Sequence, residues 1–185
     1  RIGHLPFRLT CRIQKTKTMK SRRNPFFGTL LVISLSHTAY AGSLAWKGSN
    51  TGLAGGASNT WDTNTTANWW NGSASVNWPA PGGTDDDAVF GGTAGTVTVT
   101  TATANDIAFS TTGYTLTGGT LTLNGTTPTL TNNTGIDATV SSVIAGAGGL
   151  KKDGAGILTL AGTNTYTGVT TVNSGAIVVQ NNSAF

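Results

Sequence analysis

Several reactive residue types are missing from most of this chain. Beyond Ala41 there is no Cys, His or Arg, and the whole sequence contains no Glu. Without Cys this segment has neither a disulfide nor a thiol nucleophile. Acid–base or nucleophilic catalysis would have to rely on Asp, Lys, Tyr and hydroxyl groups. The composition therefore predicts a protein that is not an enzyme, with no catalytic residues and no cofactor.

Positive charge is also scarce outside the first residues, although the formal net charge is +4. Eight of the eleven Lys and Arg residues lie within residues 1–23. After Ala41 only Lys47, Lys151 and Lys152 remain, against seven Asp, so that segment carries a charge of about −4. A basic patch is the electrostatic requirement for binding nucleic acid, and this segment lacks one. We expect no nucleic-acid partner.

Residues 19–41 have the pattern of a secretory signal peptide. Met19 is followed by basic residues, residues 26–35 form a short apolar core, and Ala39-Tyr40-Ala41 is an A-x-A cleavage site. We expect cleavage after Ala41 and no permanent membrane span, because the apolar core is too short. The export route, general secretory or twin-arginine, stays open. Residues 1–18 have no starting Met and are interpreted as non-native upstream translation.

The segment 42–92 is distinguished by its aromatic residues, since it holds all five Trp of the chain. We predict that it is a Trp-rich N-terminal capping segment, because the first coil of a solenoid must cover an exposed edge. Aromatic platforms also stack on sugars, which makes Trp61, Trp69 and Trp70 candidate glycan contacts. The Asp triplet at residues 85–87 matches no calcium-binding loop and is interpreted as a solvated turn, so no metal site is expected.

From residue 93 to residue 185 the sequence becomes periodic. A Gly-x-apolar-Thr-apolar template recurs at Gly95, Gly119 and Gly156, with looser copies between and after them, at a spacing of about twenty residues. The alternation places apolar side chains on one face of short strands. An antiparallel β-sandwich is the second architecture that such strands permit. Recurrence of one template favours β-helical repeats.

The best-matching repeat, residues 149–179, resembles the autotransporter-associated β-strand repeat, also called the passenger-associated transport repeat. The family pattern is glycine-rich with isolated Lys, Asn and Tyr at fixed spacings. The positions that fill it are Gly149, Leu150, Lys152, Gly154, Gly156, Leu158, Leu160, Gly162, Asn164, Tyr166, Gly168, Thr170, Val172 and Gly175. The triplet Lys151-Lys152-Asp153 is expected to form a Gly-flanked corner of this repeat.

The resemblance implies an all-β fold, a right-handed parallel β-helix or solenoid with the Trp-rich cap. It further implies an exported bacterial surface protein, in which this chain is a structural passenger segment of an autotransporter-like protein, a spacer or adhesin stalk. The expected location is secreted or at the cell surface. The expected partners are further repeats and a C-terminal outer-membrane barrel, in a protein longer than this chain, with surface glycans as a candidate ligand.

Two other functions are kept as alternatives. One is a carbohydrate-binding cell-surface module, which requires exposed Trp rings. The other is a polysaccharide-cleaving β-helix, which requires carboxylates and a base in one groove, a combination that the composition disfavours.

Overall fold

The computed structural model describes residues 42–48, 59–79 and 86–181. The predicted signal peptide, its cleavage site at Ala41 and residues 1–18 lie outside these ranges. Within them the regular structure consists of fifteen strands and no helix. The strands are β1 (Ser43–Trp46), β2 (Asn59–Trp61), β3 (Trp69–Trp70), β4 (Ser75–Val76), β5 (Asp87–Phe90), β6 (Thr96–Ala104), β7 (Ile107–Phe109), β8 (Tyr114–Leu123), β9 (Thr129–Asn132), β10 (Ala138–Val140), β11 (Val143–Ala145), β12 (Leu150–Asp153), β13 (Ile157–Leu160), β14 (Thr170–Val172) and β15 (Ala176–Val179).

The strands stack as successive coils of a β-solenoid with two principal faces. One sheet has the order β4-β3-β1-β5-β7-β9-β12-β14 and the other has the order β2-β6-β8-β10-β13-β15. All pairings between coils are parallel, and the antiparallel ones involve only β3, with β1 and with β4. Parallel pairing of this kind rules out the antiparallel sandwich and confirms the predicted solenoid. The hand of the coil stays a prediction.

The register gives the length of each coil directly. In the second sheet Val97 pairs with Leu116, Leu116 with Val140, Val140 with Leu160, and Leu160 with Val179. The chain thus advances 19, 24, 20 and 19 residues between equivalent positions. This agrees with the spacing of about twenty residues that the sequence pattern predicts.

A third face begins where the two longest strands bend. The second halves of β6 and β8 pair with each other, and β11 then pairs with β8 through Ile144 and Leu121. At the bend in β8 the backbone passes so close to the previous coil that a Cβ on Gly119 would lie 1.9 Å from the Thr100 carbonyl oxygen. Only glycine fits there.

This third face changes the register expected for the Gly-x-apolar-Thr-apolar templates. Val97 and Val99, which follow Gly95, do not stack on the template that follows Gly119; Val97 stacks on Leu116. Leu121 belongs to the third face and stacks on Ala102. One template therefore occurs on two different faces, because it encodes a strand after a tight corner without specifying which corner.

The core fills the interior of the coil. Alternate residues of each strand point inward, as the period-two pattern predicts. Val97, Leu121, Leu158 and Leu160 are all fully buried, while the Thr residues between them are exposed or half-buried. Each coil consequently buries its apolar side chains against the coils before and after it.

Candidate functional site

The most distinctive group of residues in this fold is the segment that forms the last described coils, β12 to β15. Its polar signature residue Lys152 lies on β12, between Leu130 of the previous coil and Val172 of the next. The alternation along β12 turns Leu150 and Lys152 inward, and Lys152 has no exposed surface. The expected corner at residues 151–153 is therefore wrong, because these residues continue the strand.

The Lys152 ammonium is held by backbone carbonyl groups at the following corner. Its Nζ donates to the carbonyl oxygens of Asp153 at 2.6 Å, Gly154 at 2.7 Å and Ser174 at 3.4 Å. These three acceptors match the three N–H donors of the ammonium. Because Ser174 belongs to the next coil, Lys152 links two successive coils.

The charges and hydrogen bonds around Lys152 indicate that its ammonium stabilises the fold. Burial lowers the pKa of Lys152, against the attraction of Asp153, which raises it. A hydrogen bond from the Asn173 side chain and one from the Gly154 N–H lower the pKa of Asp153, which also faces Lys151 at 3.6 Å. With its three donors used by carbonyl groups, Lys152 has no free proton position to offer a substrate.

Other signature residues of the repeat are buried as well, and Asn164 also binds one coil to the next. The buried Asn164 accepts a hydrogen bond from the Ile144 N–H at 2.9 Å through Oδ1. Tyr166 is buried, and its hydroxyl lies 2.7 Å from Oγ1 of Thr170. A Cβ on Gly156 would lie 1.9 Å from the Ile136 carbonyl oxygen, so the corner requires glycine. The isolated Lys and Asn of the pattern thus link neighbouring coils, whereas the hydroxyl of Tyr166 bonds locally, to a residue four positions further along the chain.

A second group, which we call the aromatic cluster, lies in the first two described coils and consists of Trp46, Trp61, Trp69, Trp78 and Phe90. Seven pairs of these rings have centroids 4.4 to 5.8 Å apart, in edge-to-face and tilted arrangements. All five rings are buried. Such pairs add about 0.5–1.5 kcal/mol each beyond the area they bury. The cluster fills the interior of the solenoid at the end of the sheet where the antiparallel strands β3 and β4 lie, and these ring pairs stabilise that end.

Of the three candidate glycan contacts, two are buried in the aromatic cluster and one is not. Trp61 and Trp69 have no exposed surface, so neither ring can present a face to a sugar. Trp70 is half-buried on the opposite side of β3 from Trp69, as strand alternation predicts. Glycan contact by Trp70 stays a prediction.

Aromatic stacking continues from this cluster into the next coil. Phe90 stacks on Phe109 with centroids 5.3 Å apart and planes inclined by 19°. Tyr114 lies 5.3 Å from Phe90 and donates through its hydroxyl to the Gly91 carbonyl oxygen at 2.6 Å. Burial raises the pKa of Tyr114 to about 12. The next residue in this column is Asn132, which pairs with Phe109 in register.

The described residues contain no arrangement that suggests catalysis or metal binding. No group of three or more His, Cys, Asp or Glu side chains converges in residues 42–48, 59–79 and 86–181. A groove along three successive coils, lined by residues such as Gly125, Thr126, Gly148 and Val169, has no titratable side chain in its wall. Asp86, expected in a solvated turn, is instead buried and accepts a hydrogen bond from the Gly42 N–H.

Comparison with known proteins agrees with this geometry. The model of the passenger-associated transport repeat family matches residues 150–179, the segment that contains Lys152, Asn164 and Tyr166. Residues 150–179 are thus similar to the passenger-associated transport repeat. The repeat accounts for about a sixth of the chain.

A curated relative extends the similarity beyond that repeat. The Adhesin BmaC autotransporter of Brucella suis biovar 1 (strain 1330) is 49% identical over 100 residues. The match covers 54% of this chain and 3% of the adhesin, so the chain corresponds to a small part of its relative. No solved structure matches the chain. In the described ranges there is no helix long and apolar enough to cross a membrane.

Proposed function

We propose that this chain is part of an exported bacterial surface protein and acts there as a β-helical passenger segment, a spacer or adhesin stalk. The passenger-associated transport repeat, the stacked coils and the similarity to an autotransporter adhesin support this proposal. We further propose that the chain has no catalytic activity of its own.

The observation that carries the proposal is the position of the signature residues of the repeat. Lys152 and Asn164 are buried and bonded to neighbouring coils, and the glycine corners touch the previous backbone. A repeat whose distinctive residues all face inward presents none of them to a ligand. Such a repeat is suited to building length.

The division of the chain follows from the same proposal. Residues 19–41 would direct export and be removed after Ala41, and residues 42–92 would cap the first coil through the aromatic cluster. Residues 93–185 would supply repeats. Further repeats and a C-terminal outer-membrane barrel are the partners that an autotransporter-like protein requires.

The test is display on cells. We would fuse the chain to the barrel of an autotransporter, express it in a Gram-negative host, and label intact cells with an antibody to the chain. We expect surface labelling and a protease-resistant fragment for the wild type and for Thr159→Asp, and loss of the resistant fragment for Leu158→Asp. Retention of the unprocessed chain inside the cell would contradict the proposal.

A second candidate function is glycan binding through Trp70, since its ring is half-buried while Trp61 and Trp69 are buried. Trp70→Ala, compared with the wild type on a glycan array, tests it. Binding that is unchanged by this substitution, or no binding by the wild type, would exclude a role for Trp70.

A further inference from the structure

The carboxylate of Asp86 is directed at the start of the first described strand. Its Oδ1 accepts a hydrogen bond from the Gly42 nitrogen at 2.9 Å, and only 6% of the residue is exposed. It lies on the inward side of the chain together with Ala88 and Phe90, the next two buried positions of β5. The Asp87 N–H donates to the Gly42 carbonyl oxygen at 3.0 Å, so Gly42 is held on both sides.

A buried carboxylate needs a cation or several donors, because removing its charge from water is costly. After residue 41 the chain has three lysines and no Arg. Lys47 donates to Ser75, Lys151 pairs with Asp153, and Lys152 donates to backbone carbonyl groups. None of these contacts involves Asp86.

Removal of the signal peptide would supply the cation. Hydrolysis of the Ala41–Gly42 peptide bond by signal peptidase consumes one water and leaves a carboxylate on Ala41 and an amine on Gly42. An α-amine of ordinary pKa, about 7.7–8.0, is largely protonated at neutral pH. We propose that the new Gly42 ammonium forms a partly buried ion pair with Asp86, so that processing of the leader locks the first strand onto the solenoid. This inference rests on the proposed export and on cleavage after Ala41.

The position of the Gly42–Asp86 ion pair shows which strand it would hold in place. Gly42 directly precedes β1, which pairs in parallel with β5 from Ser43 onward. β1 carries Trp46, whose ring packs on Trp69 at 5.1 Å and on Phe90 at 5.8 Å. Before cleavage the Gly42 nitrogen is a neutral amide, which makes a weaker bond to a carboxylate than an ammonium does. Cleavage therefore strengthens the attachment of the strand that completes the aromatic cluster.

The test measures how fast the Gly42 amine reacts. The full chain is exported from a Gram-negative host, its amino terminus is sequenced, and the processed protein is treated with an acetylating reagent near neutral pH. Mass spectrometry follows acetylation of the α-amine. We expect the native wild type to react about tenfold more slowly than Asp86→Asn, and at least tenfold more slowly than the same protein in denaturant. Tenfold corresponds to about 1.4 kcal/mol.

Asp87→Asn is the matched control. Its side chain accepts hydrogen bonds from Asn105 and from the Asp106 N–H, and the variant keeps an oxygen acceptor. We expect this variant to react like the wild type. Equal rates for wild type and Asp86→Asn would overturn the proposal, and so would equal acceleration in both variants.

Two further outcomes separate this proposal from the proposed function. A processed protein that does not begin at Gly42 would overturn the ion pair but leave the passenger function open to the display test. If Asp86→Asn does not fold, the wild type still decides, because an amine that reacts equally fast in native and denatured protein is not paired.

Discussion

Leu158 provides the sharpest test of the coil register. Its side chain is fully buried on β13, between Ala138 of the previous coil and Ile177 of the next. Truncation of a buried leucine to alanine costs about 2–5 kcal/mol. We expect Leu158→Ala to lie near the lower limit, because Ile177 is only half-buried and the last coil can relax into the space. Leu158→Asp should cost more, since it buries an unpaired carboxylate.

Thr159 is the matched control, because it neighbours Leu158 on the same strand and faces outward between Thr139 and Val178. Surface substitutions of this kind change the free energy of unfolding by about 0.5 kcal/mol or less. We therefore expect Thr159→Asp to be mild. The difference between the two positions measures the orientation of the strand directly.

The assay needs two probes, because coils in a solenoid interact mainly with their neighbours. Tryptophan fluorescence during denaturant unfolding reports the first two described coils, where the aromatic cluster lies. Hydrogen exchange of the amides of β13 reports the mutated coil. We expect Leu158→Ala to accelerate hydrogen exchange in β13 clearly, while the denaturant midpoint measured by tryptophan fluorescence falls only slightly. Equal effects of Leu158→Asp and Thr159→Asp on both probes would refute the inward orientation of Leu158.

Three further predictions concern other parts of the fold. Gly156→Ala should destabilise the protein by several kcal/mol, because its Cβ would collide with the Ile136 carbonyl oxygen; an unchanged denaturation midpoint would contradict this. Tyr114 has a pKa raised from 10.0 to about 12, so its contribution to stability is complete below pH 10 and is lost as pH rises toward 12. The midpoint should fall over that range, and less so in Tyr114→Phe. The last strands pair on one side only among the described residues and expose Val178 and Val179, each 42% accessible. We expect the processed chain to self-associate and Val178→Lys to reduce this; a monomeric wild type in sedimentation would mean that this end is covered.

The strands themselves could be predicted from local pattern. Alternation of apolar residues with Thr at Val97, Leu121 and Leu158 identified the buried side of each strand, because one face of a solenoid strand is always inside. The adjacent pair Trp69 and Trp70 also divides between the two faces as expected. These features depend only on neighbours in the sequence.

The register could not be predicted in the same way. Leu116, which stacks on Val97, is followed by Thr and two glycines, whereas the better template copy at Leu121 lies one face further along. What decides between them is the close approach of Gly119 to Thr100 in the previous coil. Contacts between coils, nineteen or more residues apart, are invisible to a pattern read along one strand.

The candidate site is harder to predict from sequence than the register, because its polar residues are buried inside the solenoid. Lys152 and Asp86 have types that favour the surface, and the sequence predicts a Gly-flanked corner for the first and a solvated turn for the second. The position of Lys152 two residues after Leu150, on the inward alternation of β12, was the available signal. The flanking glycines predict a corner instead, and only the carbonyl groups that follow β12 show how the buried charge is accommodated.

The distribution of rings along the coils has a mechanical consequence. Every Trp and Phe of the described residues lies at or before Phe109, and the column that runs from Phe90 to Phe109 continues with Asn132 in the coil after Phe109. Later coils are held mainly by aliphatic side chains and by single contacts such as that of Lys152. If a solenoid built in this way were pulled at both ends, its aliphatic coils would unfold first, one coil after another. The coils that contain the aromatic cluster would unfold last. The solenoid would therefore extend in small successive unfolding steps and not in a single cooperative one.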